Sequence, residues 1–263
     1  MNEEIKSIIK KAISRPAVRR ALILLLVFIG LGSLLLAANQ IYARKKEQEA
    51  AVPSVKPTVI TTQAPGSGES TAPFVSPIDF NGLRQENTDA VAWLTVPGTA
   101  IDYPIVQAED NQYYVNNSAQ KKASKHGAVF LDCRNRADFS DFYNIIYAHN
   151  MRDGSMFGTL IRFKQKDFFD KHKTAVLHTP TDSYELEIIS CAVQNAMGDY
   201  YISIAFFTPE ERQAHIDYLL RTAKLRRDIA LGPEDRILIL STCSYEFEDA
   251  RTIVVCKFKG EFP

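Results

Sequence analysis

The chain has few cysteines and no surplus of charge. Its 263 residues include 4 cysteines, too few for a small domain built on disulfides. The 31 basic side chains equal the 31 acidic ones, so the charge surplus typical of nucleic-acid-binding proteins is missing. The sequence also contains no P-loop, no dinucleotide-binding fingerprint and no G-x-S-x-G elbow. Nucleotide-binding and serine-hydrolase functions are therefore disfavoured.

The spacing of the cysteines also argues against a metal site. Cys133, Cys191, Cys243 and Cys256 contain no C-x-x-C pair and have no nearby pair of histidines. We therefore expect no metal and no other cofactor. A disulfide that involves Cys191 or Cys256 stays open, because pairing cannot be predicted from spacing.

Hydrophobic residues make up 46% of the chain. One long apolar run lies near the start. Residues 21–38 carry no charge, and residues 39–42 continue the run. We predict a transmembrane helix over 21–42, which is long enough to cross a bilayer. A cleaved signal peptide is the alternative, because small residues at 36–38 offer a cleavage site, but the run is longer than a usual signal core.

The flanks of this run predict its orientation. Six basic residues precede it, and Arg44, Lys45 and Lys46 follow. Because the heavier positive flank faces the cytoplasm, we expect residues 1–20 to be cytoplasmic and the rest of the chain to be extracellular. Residues 43–77 contain five prolines among Gly, Ser and Thr, which predicts a flexible stalk. The globular domain is then expected over 78–263.

Eight segments of this domain have the β-branched and aromatic enrichment of strands. They favour a mainly β fold, an eight-stranded, closed or nearly closed β-barrel with peripheral helices, over a parallel α/β sheet. The segments are 93–96, 101–107, 128–132, 144–149, 175–178, 183–193, 236–242 and 252–259.

Helical patterns are fewer. A short helix is expected within 79–92. A longer helix is expected from Thr208, which is followed by a proline and two acids and so has the pattern of an N-cap. Basic residues up to Arg227 are typical of its C-terminal end, and Ile216, Leu219, Leu220 and Ala223 form an apolar face that we expect to pack on the barrel.

Cys243 lies at the end of the most apolar predicted strand. A lone cysteine is more often a small buried apolar residue than a nucleophile. Arg251, however, opens the next strand eight residues later, so a hairpin would bring its guanidinium near the sulfur. A fixed cation there would stabilise a thiolate or a developing oxyanion.

His149 is the candidate partner of this cysteine. It follows an apolar strand and enters a turn-rich segment, whereas the other four histidines have no comparable setting. A cysteine and a histidine that converge at two strand ends form the arrangement of a nucleophile with its acid/base. The alternative is that both are structural residues with satisfied partners.

Several motifs resemble the class B branch of the sortase family. They are NIIYAHNMRDGSMF at 144–157, LSTC at 240–243 with Arg251, WLTVPGTAIDYPIVQ at 93–107 and DNQYYV at 110–115. The long helix between the two strands that precede Cys243 is also similar. The resemblance covers about 78–262. Ala148 and Ser244 depart from it, since many relatives have glycine before the histidine and some have an acid after the cysteine.

The resemblance implies an enzyme on the outer face of a Gram-positive membrane. It would cleave a C-terminal sorting motif of secreted proteins and join the new carboxyl end to an amine of the cell wall or to a pilin lysine. Cys243 would form the thioacyl-enzyme, His149 would act as acid and base, and Arg251 would hold the oxyanion. The resemblance assigns substrate contacts to Ser241, Thr242, Asn111, Val115, Tyr201 and Ile202.

Two other functions stay open at this point. A cysteine endopeptidase would use the same Cys243 and His149 and release its acyl-enzyme to water. A non-catalytic surface-binding domain on a stalk would leave Cys243 inert. The motif also stays open, since an Asn-Pro-x-Thr type is expected for the class and a Pro-x-Thr-Gly type is the alternative.

Overall fold

The computed structural model describes residues 16–51, 74–198 and 203–261. The chain divides into two compact units, Met1–Glu47 and Gln48–Pro263. Most of the predicted cytoplasmic segment and most of the predicted stalk lie outside the described residues, as do Tyr201 and Ile202.

The first described element is the long helix α1, Pro16–Ala51. Its part Pro16–Ala43 contains an 18-residue window with a mean hydropathy of 2.8 and is long enough to cross a membrane. The helix continues past residue 42, where we predicted the stalk to begin. Residues 43–51 are mostly Ala, Lys, Glu and Gln, which favour helix, and the first helix-breaking proline comes only at Pro53.

The described residues of the second unit form nine strands, of which eight make a closed barrel. Around the barrel the order is β5-β1-β2-β3-β4-β8-β9-β6, and pairing of β5 with β6 closes it. The two-residue β7 pairs with β6 outside this ring. The strands are β1 (Ala90–Thr95), β2 (Asp102–Val106), β3 (Val129–Leu131), β4 (Tyr143–Tyr147), β5 (Thr174–His178), β6 (Ser183–Asn195), β7 (Leu225–Arg226), β8 (Ile237–Cys243) and β9 (Ala250–Glu261). The predicted eight-stranded barrel is therefore confirmed.

Short helices lie around the barrel. They are α2 (Phe80–Glu86), α3 (Lys166–Lys171), α4 (Pro209–Arg221) and the 3₁₀ helices Tyr113–Val115 and Leu160–Lys164. The helix predicted within 79–92 ends at Glu86, because Asn87 takes an extended conformation and β1 follows. The other prediction, a helix from Thr208, is confirmed at its start: Thr208 and Glu211 form a capping box.

The C-terminal end of that helix was predicted too far along the chain. α4 ends at Arg221, and Arg226 lies in β7 instead of a last helical turn. The reason is pairing with β6. The Lys224 N–H donates to the Cys191 carbonyl and the Arg227 N–H to the Ile189 carbonyl, so these residues add to the sheet rather than prolong the helix.

The barrel has an apolar interior and one covered outer face. Leu94, Ile105, Ile146, Leu240 and Val254 are among the buried residues that fill the interior. On the outside, a second cluster joins α4 to β4, β8 and β9, which confirms the predicted packing of this helix. Its members include Ile145, Ile216, Leu219, Ile237, Ile239, Ile253 and Val255.

Arg227, the residue after β7, connects this strand to neighbouring elements of the fold through its side chain. Its guanidinium donates to the carbonyls of Ile188, Phe169 and His172 and lies 3.9 Å from the centre of the Phe169 ring. Burial lowers the pKa of this guanidinium. One side chain therefore satisfies three main-chain acceptors from two elements of the fold.

We expect Arg227→Met to lower the free energy of unfolding by about 2–4 kcal/mol, because it leaves buried carbonyls without donors. Arg226→Met is the matched control, since Arg226 is exposed, and should change it by less than about 0.5 kcal/mol. Urea unfolding of the fragment 78–263 measures both. Equal effects of the two variants would show that the guanidinium contacts contribute nothing specific.

An ion pair anchors the loop between β8 and β9. The Lys164 ammonium donates to the Glu246 carboxylate and so joins this loop to the 3₁₀ helix Leu160–Lys164. Burial raises the pKa of Glu246, but the hydrogen bond from Lys164 outweighs it and lowers the pKa to about 2.

This shift predicts a pH-dependent contribution to stability. The unfolded carboxyl has a pKa near 4.5, so the contact should stabilise the fold above that pH and lose its effect as the pH falls toward 2. The Glu246 side chain is 38% exposed, so we expect at most about 1 kcal/mol. Melting temperatures of wild type and Glu246→Gln should differ at pH 7 and converge below pH 4.5. Glu248→Gln, an exposed neighbour, should show no such convergence.

Candidate active site

A cavity of about 360 Å³ opens where the ends of β4 and β8 meet the start of β9. Its size lies in the range of ligand-binding cavities. The lining residues are Asn111, Gln112, Val115, Phe130, Tyr147, Ala148, His149, Ala196, Ser241, Thr242, Cys243 and Arg251.

Cys243 and Arg251 lie opposite each other in this cavity. Cys243 is the last residue of β8, and the β8–β9 register pairs it directly with Arg251. Both side chains are partly exposed. Arg251 donates one N–H to the Ala250 carbonyl at 3.1 Å, and its other donors form no ion pair with the described residues. The hairpin expected from the sequence is therefore present, and its cation faces the cavity.

Ser241 and Thr242 connect β8 to the end of β4. The Thr242 hydroxyl donates to the Ala148 carbonyl at 2.8 Å, and the Ala148 N–H donates to the Ser241 carbonyl at 3.3 Å. Both residues are buried. These bonds fix the main chain on either side of the cavity, including Ala148.

The turn after His149 is connected to the cysteine in the same way. The Asn150 side-chain amide donates to the Cys243 carbonyl at 2.9 Å. The His149 carbonyl accepts from the Phe157 N–H at 3.0 Å. Two segments that are 93 residues apart in sequence are thus held as one wall of the cavity.

The His149 ring itself is held from the opposite wall. Its Nε2 lies 2.7 Å from the Val115 carbonyl oxygen. The ring and the Cys243 thiol line the same cavity, and no hydrogen bond joins them in the described part of the chain. The imidazole is therefore oriented by the main chain rather than by the cysteine.

Asn111 and Val115 belong to a short segment that forms this opposite wall. The Asn111 side-chain oxygen accepts from the Cys133 N–H at 2.8 Å, so its amide nitrogen is left to face the cavity. Val115 ends the 3₁₀ helix Tyr113–Val115. The structure thus brings together seven of the nine residues proposed from the sequence; the other two, Tyr201 and Ile202, lie outside the described residues.

Four wall residues were missed by the sequence analysis: Gln112, Phe130, Tyr147 and Ala196. For Tyr147 a signal was available, because it lies two residues before His149 on an alternating strand and so shares its face. Its hydroxyl donates to the buried Asp132 carboxylate at 2.9 Å. Burial raises the pKa of Asp132, but hydrogen bonds from Arg134 outweigh it and lower that pKa, so this carboxylate is a stable acceptor for Tyr147.

The four cysteines are all free, and they differ in their surroundings. Cys191 and Cys256 are buried in the barrel, and burial raises the pKa of each thiol to about 12. Burial and, as a smaller effect, the negative charge of Asp132 raise the pKa of the Cys133 thiol. The disulfide that the sequence left open is not formed. Among the described residues, no group of three or more His, Cys, Asp and Glu side chains could hold a metal.

Comparison with known proteins yields no matching family model, but it does yield close relatives. Sortase B of Listeria monocytogenes is 35% identical over 179 residues, which cover 67% of this chain and 72% of the relative. Sortase B of Clostridium perfringens has the same fold, with a TM-score of 0.65 and 33% identity over 68% of this chain and 99% of its own.

A third relative is a class B sortase of Streptococcus pyogenes described as involved in pilus biogenesis. It is 36% identical, has a TM-score of 0.63, and matches 69% of this chain and 98% of its own. Each of these similarities covers about two thirds of the chain. The chain therefore belongs to the class B sortases, which are cysteine transpeptidases.

Proposed function

We propose that Cys243, His149 and Arg251 are the catalytic residues of a transpeptidase that acts on a C-terminal sorting motif of secreted proteins. The observation that carries this proposal is their convergence: a free thiol, an oriented imidazole and a guanidinium line one cavity. Each comes from a different strand end, so the arrangement depends on the closed barrel rather than on neighbours in sequence.

In the first step the Cys243 thiolate attacks the carbonyl carbon of the scissile peptide bond. The carbonyl oxygen gains negative charge, and a nearby cation stabilises it. Arg251 suits this role, because a guanidinium has five N–H donors and only one donates to Ala250. The Ser244 N–H donates to the Ala250 carbonyl at 2.9 Å, so this main-chain donor is already used.

In the second step the tetrahedral intermediate collapses. His149 gives a proton to the leaving amine as the carbon–nitrogen bond breaks, which leaves a thioester on Cys243. An incoming amine then gives a proton to His149 and attacks the thioester carbon. A new amide bond forms, and Cys243 leaves as thiolate. No cofactor takes part in this sequence.

The substrate would lie along the cavity as an extended peptide. Asn111 can offer its amide nitrogen, since its oxygen is bonded to Cys133. Val115 contributes its side chain to the same wall. Ser241 and Thr242 are buried, and the Thr242 hydroxyl is bonded to Ala148, so we assign them to the shape of the wall. Contacts from Tyr201 and Ile202 stay predictions.

The partners we propose are secreted proteins with a sorting motif and an amine acceptor. An Asn-Pro-x-Thr-type motif is expected for a class B sortase, with a Pro-x-Thr-Gly type as the alternative. The acceptor is an amine of a peptidoglycan precursor or a pilin lysine. Similarity to the Streptococcus pyogenes enzyme supports the pilin lysine as the second candidate.

We propose that α1 is a retained membrane anchor with a cytoplasmic N-terminus. Its apolar part is longer than a usual signal core, and the basic residues before it exceed those after it. In this arrangement residues 43–77 connect the anchor to a catalytic domain, 78–263, on the outer face of the membrane.

We expect Cys243→Ala to abolish both the acyl adduct and the amine-joined product, because it removes the nucleophile. The fragment 78–263 is incubated with a pool of sorting-type peptides and amines, and intact-mass spectrometry follows adduct and product. Cys133→Ala is the matched control, since Cys133 is also a partly exposed free cysteine but only its main-chain N–H contacts Asn111. It should keep activity within about 2-fold.

Two outcomes would contradict this proposal. An adduct that yields only hydrolysed peptide, with every amine tested, would indicate a cysteine endopeptidase. The absence of an adduct with every peptide, together with a Cys243 that resists alkylation, would indicate a binding domain without catalytic activity.

Arg251→Lys should lower kcat/KM by about 100- to 1000-fold, the usual cost of one lost oxyanion donor. Lysine keeps the positive charge but loses the planar arrangement of donors. Arg152→Lys, an exposed arginine in the turn after His149, should stay within about 2-fold. Steady-state kinetics measure both variants with a peptide from the pool that forms the acyl adduct with wild type. Activity of Arg251→Lys close to wild type would mean that the guanidinium does not contact the oxyanion.

A further inference from the structure

Gly127 lies where the His149 ring and the Val115 carbonyl meet. Its φ is +60°, a conformation that favours glycine. A Cβ at this position would lie 2.6 Å from the Tyr114 carbonyl oxygen, 2.7 Å from the Val115 carbonyl oxygen and 3.2 Å from Cδ2 of His149. Two of these neighbours are main chain and cannot move aside cheaply. The close approach therefore requires a residue without a side chain.

The hydrogen-bond partner of the His149 ring defines which ring nitrogen carries the proton. Nε2 of His149 lies 2.7 Å from the Val115 carbonyl oxygen, and a carbonyl oxygen only accepts hydrogen bonds. Nε2 must therefore carry the hydrogen in this contact. A neutral imidazole has one N–H, so Nδ1 then holds the lone pair.

The Val115 carbonyl is itself held in place by its own segment. The Asp110 carboxylate accepts from the N–H groups of Gln112 and Tyr113 at 2.7 and 2.8 Å and so fixes the start of the 3₁₀ helix. The Tyr114 hydroxyl donates to the Asp89 carboxylate at 2.6 Å. This helix is thus anchored independently of His149, and its last carbonyl is a fixed acceptor rather than one that follows the ring.

The Gly127 side of this contact is fixed as well. The Ala128 N–H donates to the Tyr114 carbonyl at 2.9 Å, and β3 begins at the next residue, Val129. Gly127 therefore has little freedom to withdraw if a side chain is added. A Cβ added at Gly127 would therefore have to displace the His149 ring or the Val115 carbonyl.

We propose that Gly127 is a positioning residue that holds His149 as the Nε2–H tautomer on the Val115 carbonyl, so that Nδ1 is the nitrogen that exchanges protons during transpeptidation. The inference rests on the function proposed above. The imidazolium gives its Nδ1 proton to the leaving amine as the carbon–nitrogen bond breaks. Nδ1 then takes a proton from the incoming amine, and the Nε2 hydrogen stays on His149, donated to the Val115 carbonyl, throughout.

The test uses the full chain in detergent micelles with ¹⁵N-labelled histidine. Long-range ¹H–¹⁵N spectra distinguish the two tautomers, and His149→Gln assigns the signals of this ring. Wild type should show Nε2–H. Gly127→Ala should lose this signature and show mixed tautomers, because the Cβ separates the ring from the carbonyl. Its kcat should fall by about 100-fold or more, with KM within about 3-fold, since the loss affects proton transfer rather than substrate binding.

Gly98→Ala is the matched control. Gly98 also has a left-handed φ, +77°, and a Cβ there would lie 3.1 Å from the His172 ring, outside the cavity. It should lower the melting temperature as a strained alanine does but leave kcat and the His149 signals unchanged. A folded Gly127→Ala with wild-type His149 signals and a kcat within about 2-fold of Gly98→Ala would overturn the inference.

Two further results keep the test decisive. If Gly127→Ala does not fold, the wild-type spectrum decides: an Nδ1–H tautomer of the neutral ring overturns the inference, and Nε2–H supports it. If wild type forms no transfer product while Nε2–H is present and lost in Gly127→Ala, the positioning of the ring stands and the proposed function fails. The spectroscopic and kinetic readouts therefore separate the two proposals.

Discussion

The register of β8 against β9 controls the orientation of Cys243 and Arg251, two of the three side chains that the proposed chemistry needs. Successive strand residues face opposite sides of a sheet, so a slip of one residue would exchange the two faces. Ile237 and Ile239 of β8 and Ile253 and Val255 of β9 face the outer cluster that α4 covers. Cys243 and Arg251 follow on that face by the same alternation. The apolar contacts with α4 thus keep the cysteine directed at the cavity instead of the barrel interior.

The charged groups at and near the cavity differ in whether they are paired. The buried Asp132 carboxylate lies close to it, but Arg134 neutralises this charge at 2.8 Å. Arg251 has no such partner among the described residues, and part of its donor capacity stays available. A carboxylate paired with Arg251 would occupy those donors and compete with an oxyanion. Positive charge is therefore retained at the place where the proposed reaction would develop negative charge.

Local features of the fold were readable from the sequence, and tertiary ones were not. The eight strands, the N-cap at Thr208 and the hairpin that pairs Cys243 with Arg251 follow from residue type and periodicity. β7 is only two residues long and depends on main-chain bonds to β6, so no period could reveal it. The contact between Gly127 and His149 joins segments that no local pattern relates. The pairing of β5 with β6 that closes the barrel, and the main-chain contacts that hold His149 and Cys243 at one cavity, needed the structure itself.

Closure of the barrel by β5 and β6 has a consequence for a transpeptidase whose proposed substrates are extended chains of other proteins. An open sheet would offer long rows of unpaired N–H and C=O groups to any unfolded segment that passes by. In the described barrel every long strand is paired on both sides, and the outer edge left over belongs to the short β7. Capture by backbone pairing is thereby suppressed. A passing polypeptide must instead present side chains that fit one small cavity, so the topology of the sheet itself acts as a filter against indiscriminate clients.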